Sequence, residues 1–328
     1  MTNTLPIVGI TIGDSLGIGP EITAKAVLDA RVMERCRPLI IGDRRLMEKM
    51  FELIGRPGFP VRWFGRDEEF VCEPGTVSGI DLANNSLHPS EETAGKAAVE
   101  YTYYGMRLAL DGKIDALATG PVNKSNMNKA GYKFPGIAEV LADAVKREYV
   151  TLLIDPVYKI SLVTAHVALK DLHKHITKER VLFTIQKTWE YLKRIGLEKP
   201  KIAVGSANPH CGDNGLIGDE EIVAISPAVE EARRQGIDAT GPIQTPNIFM
   251  QARDGKYDAV VSMFHEQAVS VIGNNDFTTM TLNLPFVRTS VGHGTANDIA
   301  GKGIASPKSM ILSILSAAEA SARGIRTG

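Results

Sequence analysis

Short apolar runs alternate along the chain with longer amphipathic stretches, which is how strands alternating with helices look in sequence. Residues 6–11 form the first run, apolar enough for a strand buried on both faces, and 13–19 follow as a glycine-rich loop. Residues 20–36 predict a helix, with Pro20 in the first turn where a missing N–H costs little. A strand at 37–41, helices at 44–54 and 93–110, and a strand at 114–119 stopped by Gly120-Pro121 continue the pattern. Beyond them the spacing predicts a helix over 137–145 and paired strands at 150–154 and 160–164. The helix predicted at 178–195 carries Val181, Leu182, Ile185, Trp189, Leu192 and Ile195 as a core-facing stripe. A strand at 201–204, a helix at 220–235, a strand at 259–264 and a closing helix at 309–322 complete an α/β pattern with a largely parallel sheet.

At 328 residues the chain exceeds one ordinary core and suits two α/β lobes or one large domain. No repeat or linker separates lobes, so two of them would have to share the sheet or exchange chain more than once. With 44% hydrophobic and 23% charged residues the composition is globular. A formal charge of −1 and no long Lys/Arg run argue against nucleic acid or an anionic membrane as partner. Cys36, Cys72 and Cys211 show neither a disulfide framework nor metal-type spacing, which fits a reducing compartment. The opening MTNTLPIVGITIGD lacks the basic and apolar regions of a leader, and no apolar stretch approaches the ~20 residues of a membrane span. Cytoplasmic location is the resulting expectation.

Three histidines each follow an apolar strand: His166 in ISLVTAHVAL, His210 in KIAVGSANPHCGDNG and His265 in DAVVSMFHEQA. Ligands of open parallel sheets gather beyond the carboxyl ends of strands, and three neutral imidazoles suit a divalent transition metal with positions left for substrate. The alternative for each is a hydrogen-bonded structural histidine. His173 and His175, beside lysines, are expected in solvent, and His88 carries no signal. Residues 13–21, GDSLGIGPE, follow a strand and open a helix, but lack the third glycine of a dinucleotide fingerprint; a tight strand-to-helix turn explains them equally well. In HGTANDIAGKGIASP, 293–307, small residues would admit a flat ligand while His293 and Asp298 offer polar contacts; a polar glycine-rich loop is the plainer alternative.

HGTANDIAGKGIASP resembles the adenosine-binding loop of the isocitrate and isopropylmalate dehydrogenase superfamily. GDSLGIGPEI, ATGPVNK at 118–124, the TAH, NPH and MFHEQ segments, and LPFVRTSVGHGTA at 284–296 resemble, in order, its 4-hydroxythreonine-4-phosphate dehydrogenase branch. The resemblance spans essentially the whole chain. It implies two α/β/α lobes sharing a mixed, largely parallel sheet. The lobes would be 1–124 with 286–328, carrying the cofactor loop 293–307, and 125–285, carrying the metal ligands and the dimer interface. It implies a homodimer with a shared active site, in which His166, His210 and His265 bind one divalent metal (zinc, cobalt, nickel, iron or magnesium) and the NPH histidine comes from the other subunit. NAD or NADP would lie against His293, Gly294, Thr295, Ala296 and Asp298. The implied reaction oxidises a small 3-hydroxy acid to a β-keto acid that then loses carbon dioxide. Asp14, Lys124 and Glu266 are the candidates for proton transfer or ligand orientation, with Asn123 beside them.

The departures concern substrate. Relatives acting on phosphorylated hydroxythreonine carry a His-Thr pair where this chain has Ile137 and Ala138. Gly273 stands where a substrate-binding lysine is expected, and Thr279 where an asparagine is expected, whereas Arg288 is retained. Charge-assisted contacts to phosphate are among the stronger hydrogen bonds, so their loss predicts a substrate altered at that end. The expectations are a metal- and NAD(P)-dependent dehydrogenase for a phosphorylated sugar acid or a relative of phosphohydroxythreonine; a dehydrogenase of cis-dihydrodiol carboxylates; or a catalytically silent metabolite-binding paralogue.

Overall fold

A computed structural model describes residues 5–85, 87–273 and 275–322; residues 1–4 and 323–328 of the expected first lobe lie outside them. The chain forms two compact units, Met1–Arg147 with Leu284–Gly328, and Glu148–Asn283. Residues 125–147 therefore group with the first unit. The helix Lys124–Lys129 lies against Glu91–Leu110 so closely that the Gly95 backbone touches that of Asn126.

Twelve strands occur among the described residues: β1 (Ile7–Thr11), β2 (Arg37–Gly42), β3 (Val61–Gly65), β4 (Val77–Asp81), β5 (Ala116–Thr119), β6 (Val150–Ile154), β7 (Lys159–Leu162), β8 (Lys201–Gly205), β9 (Asp238–Ile243), β10 (Ala259–Ser262), β11 (Thr278–Leu282) and β12 (Val287–Val291). In the first unit the order is β3-β4-β2-β1-β5-β12, every neighbour parallel. Its inner strands β1, β2 and β5 are almost entirely buried, so they need continuous apolar runs rather than alternation. The order in the second unit is β11-β6-β7-β10-β8-β9. There β7, β10, β8 and β9 are parallel, while β6 runs antiparallel to both β7 and β11. The sheet is thus mixed and largely parallel, and the fold is α/β.

Two predicted helices differ in detail. The stretch 20–36 holds two helices, Gly19–Ala26 and Ala30–Arg35. Asp29 turns extended between them and its carboxylate accepts the Arg31 N–H, a side-chain cap that starts a new helix. The stretch 220–235 begins with a wide π turn, Glu221–Ile225, before the α-helix Ser226–Arg234. Pro227 has no N–H to continue an incoming α-helical ladder. No helix of the described residues is long and apolar enough to cross a membrane.

Candidate functional site

In the second unit the carboxyl ends of β7, β10 and β8 lie side by side, with Leu162 opposite Ser262 and Val261 opposite Val204. The loops that follow carry the three strand-end histidines. Thr164 ties the first to the second: its N–H and hydroxyl both donate to the Met263 carbonyl, at 3.1 and 2.7 Å. Gln267 ties the second to the third, its amide oxygen accepting from Met263 N (3.0 Å) and Ser262 Oγ (2.9 Å) while Nε2 donates to the Ser206 carbonyl (3.0 Å).

This lattice brings the His166 and His265 rings to a centroid separation of 6.3 Å. A metal–nitrogen bond of ~2.1 Å plus the ring radius puts two imidazoles on one tetrahedral ion roughly 5.2 Å apart, centroid to centroid, so a shared divalent metal would draw the two rings about 1 Å closer than they stand here. His265 opens the helix His265–Ile272, and its Nδ1 lies 3.2 Å from Glu266 Oε1. A carboxylate only accepts, which leaves Nε2 with the lone pair that a metal needs. His210 is elsewhere in the unit: its Nδ1 lies 3.2 Å from Gln244 Nε2. Residues 210–214 all have positive φ (His210 at 53°), an uncommon backbone for non-glycine residues. Buried Glu221 secures the start of that loop, Oε1 accepting from Ala207 N and Asn208 N at 2.8 Å each. Among the described residues no three His, Cys, Asp or Glu side chains converge on a point that could hold a metal.

In the first unit, the segment 293–298 follows β12 with His293, Gly294 and Asp298 exposed and Thr295 and Ala296 half-buried. His293 Nδ1 lies 2.8 Å from the Gly294 carbonyl, and Ala296 has φ 41°. Small residues, turned backbone and the exposed carboxylate of Asp298 make this a segment that could hold a nucleotide. The 13–21 turn packs on it. Ile18 N donates to the Thr295 carbonyl at 2.9 Å, and a methyl group on Gly17 would stand 2.7 Å from Thr295 Cβ.

Asp14 lies fully buried in that turn, Oδ1 accepting from Leu16 N and Oδ2 from Asn126 Nδ2, both at 2.9 Å. Burial holds its carboxyl above the ordinary carboxylate range, against the lowering effect of these hydrogen bonds. Lys124 is exposed at the start of its helix, where Asn123 caps by accepting from Ser125 N and Asn126 N. Ile137 is buried and Ala138 half-buried on the helix Ile137–Ala144. Arg288 is buried on β12 and donates to Thr119 Oγ1 at 2.7 Å. In the second unit, half-buried Thr279 pairs with Leu153, and Gly273 ends the histidine helix at φ 61°, ψ −125°.

Residues 34–317 match the family described as "Pyridoxal phosphate biosynthetic protein PdxA". The chain belongs to this family. It is 40% identical over 335 residues to a D-threonate 4-phosphate dehydrogenase of Cupriavidus necator, covering 98% of this chain and 99% of that one. A 4-hydroxythreonine-4-phosphate dehydrogenase of Desulforapulum autotrophicum is 40% identical over 330 residues, with 97% and 96% covered. The crystal structure of a 4-hydroxythreonine-4-phosphate dehydrogenase from Klebsiella pneumoniae superimposes with a TM-score of 0.85 at 33% identity, covering 98% of this chain and 99% of that one.

Several residues of this PdxA-family site escaped the sequence reading: Gln267, Thr164, Glu221, and the pair Glu21 and Lys25. Each bonds to backbone groups distant in sequence or in neighbouring loops, partners that a residue pattern does not reveal. The MFHEQ motif offered a signal for Gln267, two positions after a histidine, and GIGPE did so for Glu21.

Proposed function

We propose that the chain is a metal-dependent NAD(P) dehydrogenase oxidising the secondary alcohol of a small phosphorylated sugar acid, of the D-threonate 4-phosphate type. The observation carrying this reading is the His166–His265 pair at 6.3 Å beyond neighbouring strand ends, with Glu266 on the outer nitrogen of His265. A divalent metal bound there supplies Lewis acidity, which stabilises negative charge on a substrate oxygen. Glu266 fixes the tautomer of His265. Lys124 is the candidate to take up the hydroxyl proton, which it would do only as the free amine, and His293, Gly294, Thr295, Ala296 and Asp298 would hold NAD(P), which would supply the hydride acceptor. When the product is a β-keto acid, its carboxylate departs as carbon dioxide. Asp14 has one carboxylate oxygen engaged within its own turn and the other by Asn126 on the helix Lys124–Lys129, and therefore ties the turn to that helix rather than transferring protons.

His210 reaches the metal from a second copy of the chain in this reading. Leu216 (81% exposed) and Val223 (60% exposed) accompany it as apolar surface, which a homodimer would cover. Ile137 is buried and Gly273 has no side chain, so neither provides the cation or imidazole expected for phosphohydroxythreonine. The choice of the sugar acid rests on the 40% identity to a D-threonate 4-phosphate dehydrogenase, and Arg288 is the retained candidate for binding substrate.

The test is turnover, followed at 340 nm, of D-threonate 4-phosphate, 4-hydroxythreonine 4-phosphate, their unphosphorylated forms and a cis-dihydrodiol carboxylate, each with both nucleotides and with added zinc, cobalt or magnesium. The reading expects the phosphorylated sugar acid to give the highest kcat/KM and chelation to abolish turnover. Preference for an unphosphorylated acid or a dihydrodiol, or full activity after chelation, would overturn it.

A further inference from the structure

The first helix grips the far end of the nucleotide-binding segment through an ion pair whose carboxylate is buried. Glu21 is fully buried. Its Oε1 accepts from Ala305 N at 2.8 Å and its Oε2 from Gly303 N at 3.2 Å. Lys25, one helical turn later, donates from Nζ to Glu21 Oε1 (2.8 Å), the Gly303 carbonyl (2.9 Å) and the Ala305 carbonyl (2.7 Å). One carboxylate and one ammonium thus satisfy two N–H groups and two carbonyls of a segment with no regular secondary structure of its own. Such charge-assisted bonds are roughly twice as strong as neutral ones. Ile18 N and the close approach of Gly17 hold the same segment at Thr295, so one short turn secures it at both ends.

We propose that Glu21 and Lys25 are positioning residues for nucleotide binding: the glycine-rich turn binds the loop that binds the nucleotide, rather than the nucleotide itself. This rests on the reading that 293–298 receives NAD(P). A segment held at 295, 303 and 305 has already lost the backbone freedom that binding would otherwise remove, so the gripped loop binds more tightly than a loose one.

The test measures NADH and NADPH dissociation constants by fluorescence on the full chain, together with amide hydrogen exchange at Gly303 and Ala305. Lys25→Met and Glu21→Gln are expected to weaken nucleotide binding at least about tenfold and to accelerate exchange at both amides, whereas Lys25→Arg, which keeps its donors, restores both. Lys25 is partly exposed, so Lys25→Met carries the test if Glu21→Gln does not fold. Asp298→Ala separates the two ideas, since it should weaken nucleotide binding without faster exchange at 303 and 305. Faster exchange in Lys25→Met with an unchanged dissociation constant would overturn the positioning role. Unchanged binding in Asp298→Ala would overturn the reading of the loop on which that role rests.

Discussion

The two units anchor their functional loops with different chemistry. In the second unit the strand ends are tied to one another by uncharged groups, and a carboxylate, Glu221, is added where the longer loop after β8 leaves the sheet. The Thr164 hydroxyl and the Gln267 amide reach only to the next strand's end, at Met263 and Ser206. In the first unit the excursion from 292 to 307 is about as long as the loop after β8, and its backbone groups find no neighbouring strand. A buried carboxylate and an ammonium take that place. The longer a loop travels from regular structure, the more backbone it leaves unsatisfied, and the stronger the groups needed to keep it still.

Substitutions can separate the two arrangements. The largest expected effect is that of His265→Ala, which should remove bound metal and lower turnover on the order of a thousandfold while NADH affinity stays near wild type. Metal analysis, turnover and a fluorescence titration on one preparation check all three; normal metal content would show that the strand-end pair is not the metal site. Gln267→Ala should weaken metal affinity about 10- to 100-fold, because the roots of the His265 and His210 loops lose their link. A chelator competition series measures this, and an unchanged affinity would mean that the lattice does not matter for the site.

Gly273→Ala should lower stability by about 1–2 kcal/mol in chemical denaturation, since φ 61° with ψ −125° suits glycine alone. Installing a lysine there carries the same strain, so the family's missing cation cannot be restored by one substitution without cost. The smallest effect belongs to Asp14. Its carboxyl holds a proton more tightly in the folded chain than in the unfolded one, so stability declines as pH climbs from the ordinary carboxylate range to the raised folded value, and is flat above it. Asp14→Asn should remove that component, flattening melting temperature against pH in the mildly acidic range.

Much of the architecture was visible in the chain because buried parallel strands must be continuously apolar, as at β1, β2 and β10. Strands that mix polar residues, glycine or proline into short stretches, such as β4 (VSGID) and β9 (DATGPI), gave no such pattern. The helix break at Asp29 was missed because apolar periodicity is insensitive to a local cap. His166 and His265 were legible as a pair, since both follow strands that proved adjacent. Gln267, Glu21 and Glu221 act on backbone atoms as well as on side chains, and for Glu21 those backbone atoms lie more than 280 positions away. Only the folded chain brings such groups into view.

The first unit is discontinuous in sequence, which has a consequence for how the protein is made. β12 pairs with β5 across an insertion of more than 130 residues, and the closing helix Lys308–Ala322 then fastens to it, Thr289 Oγ1 donating to the Ser313 carbonyl. On the ribosome, the histidine-bearing unit is finished while β5 still waits with a bare edge, open to pairing with another nascent chain. The His166–His265 pair, the proposed metal site, is therefore made earlier in synthesis than the segment 293–298 proposed to receive the nucleotide. A chaperone holding that edge, or prompt release of the C-terminal stretch, would govern yield more than the stability of the finished molecule.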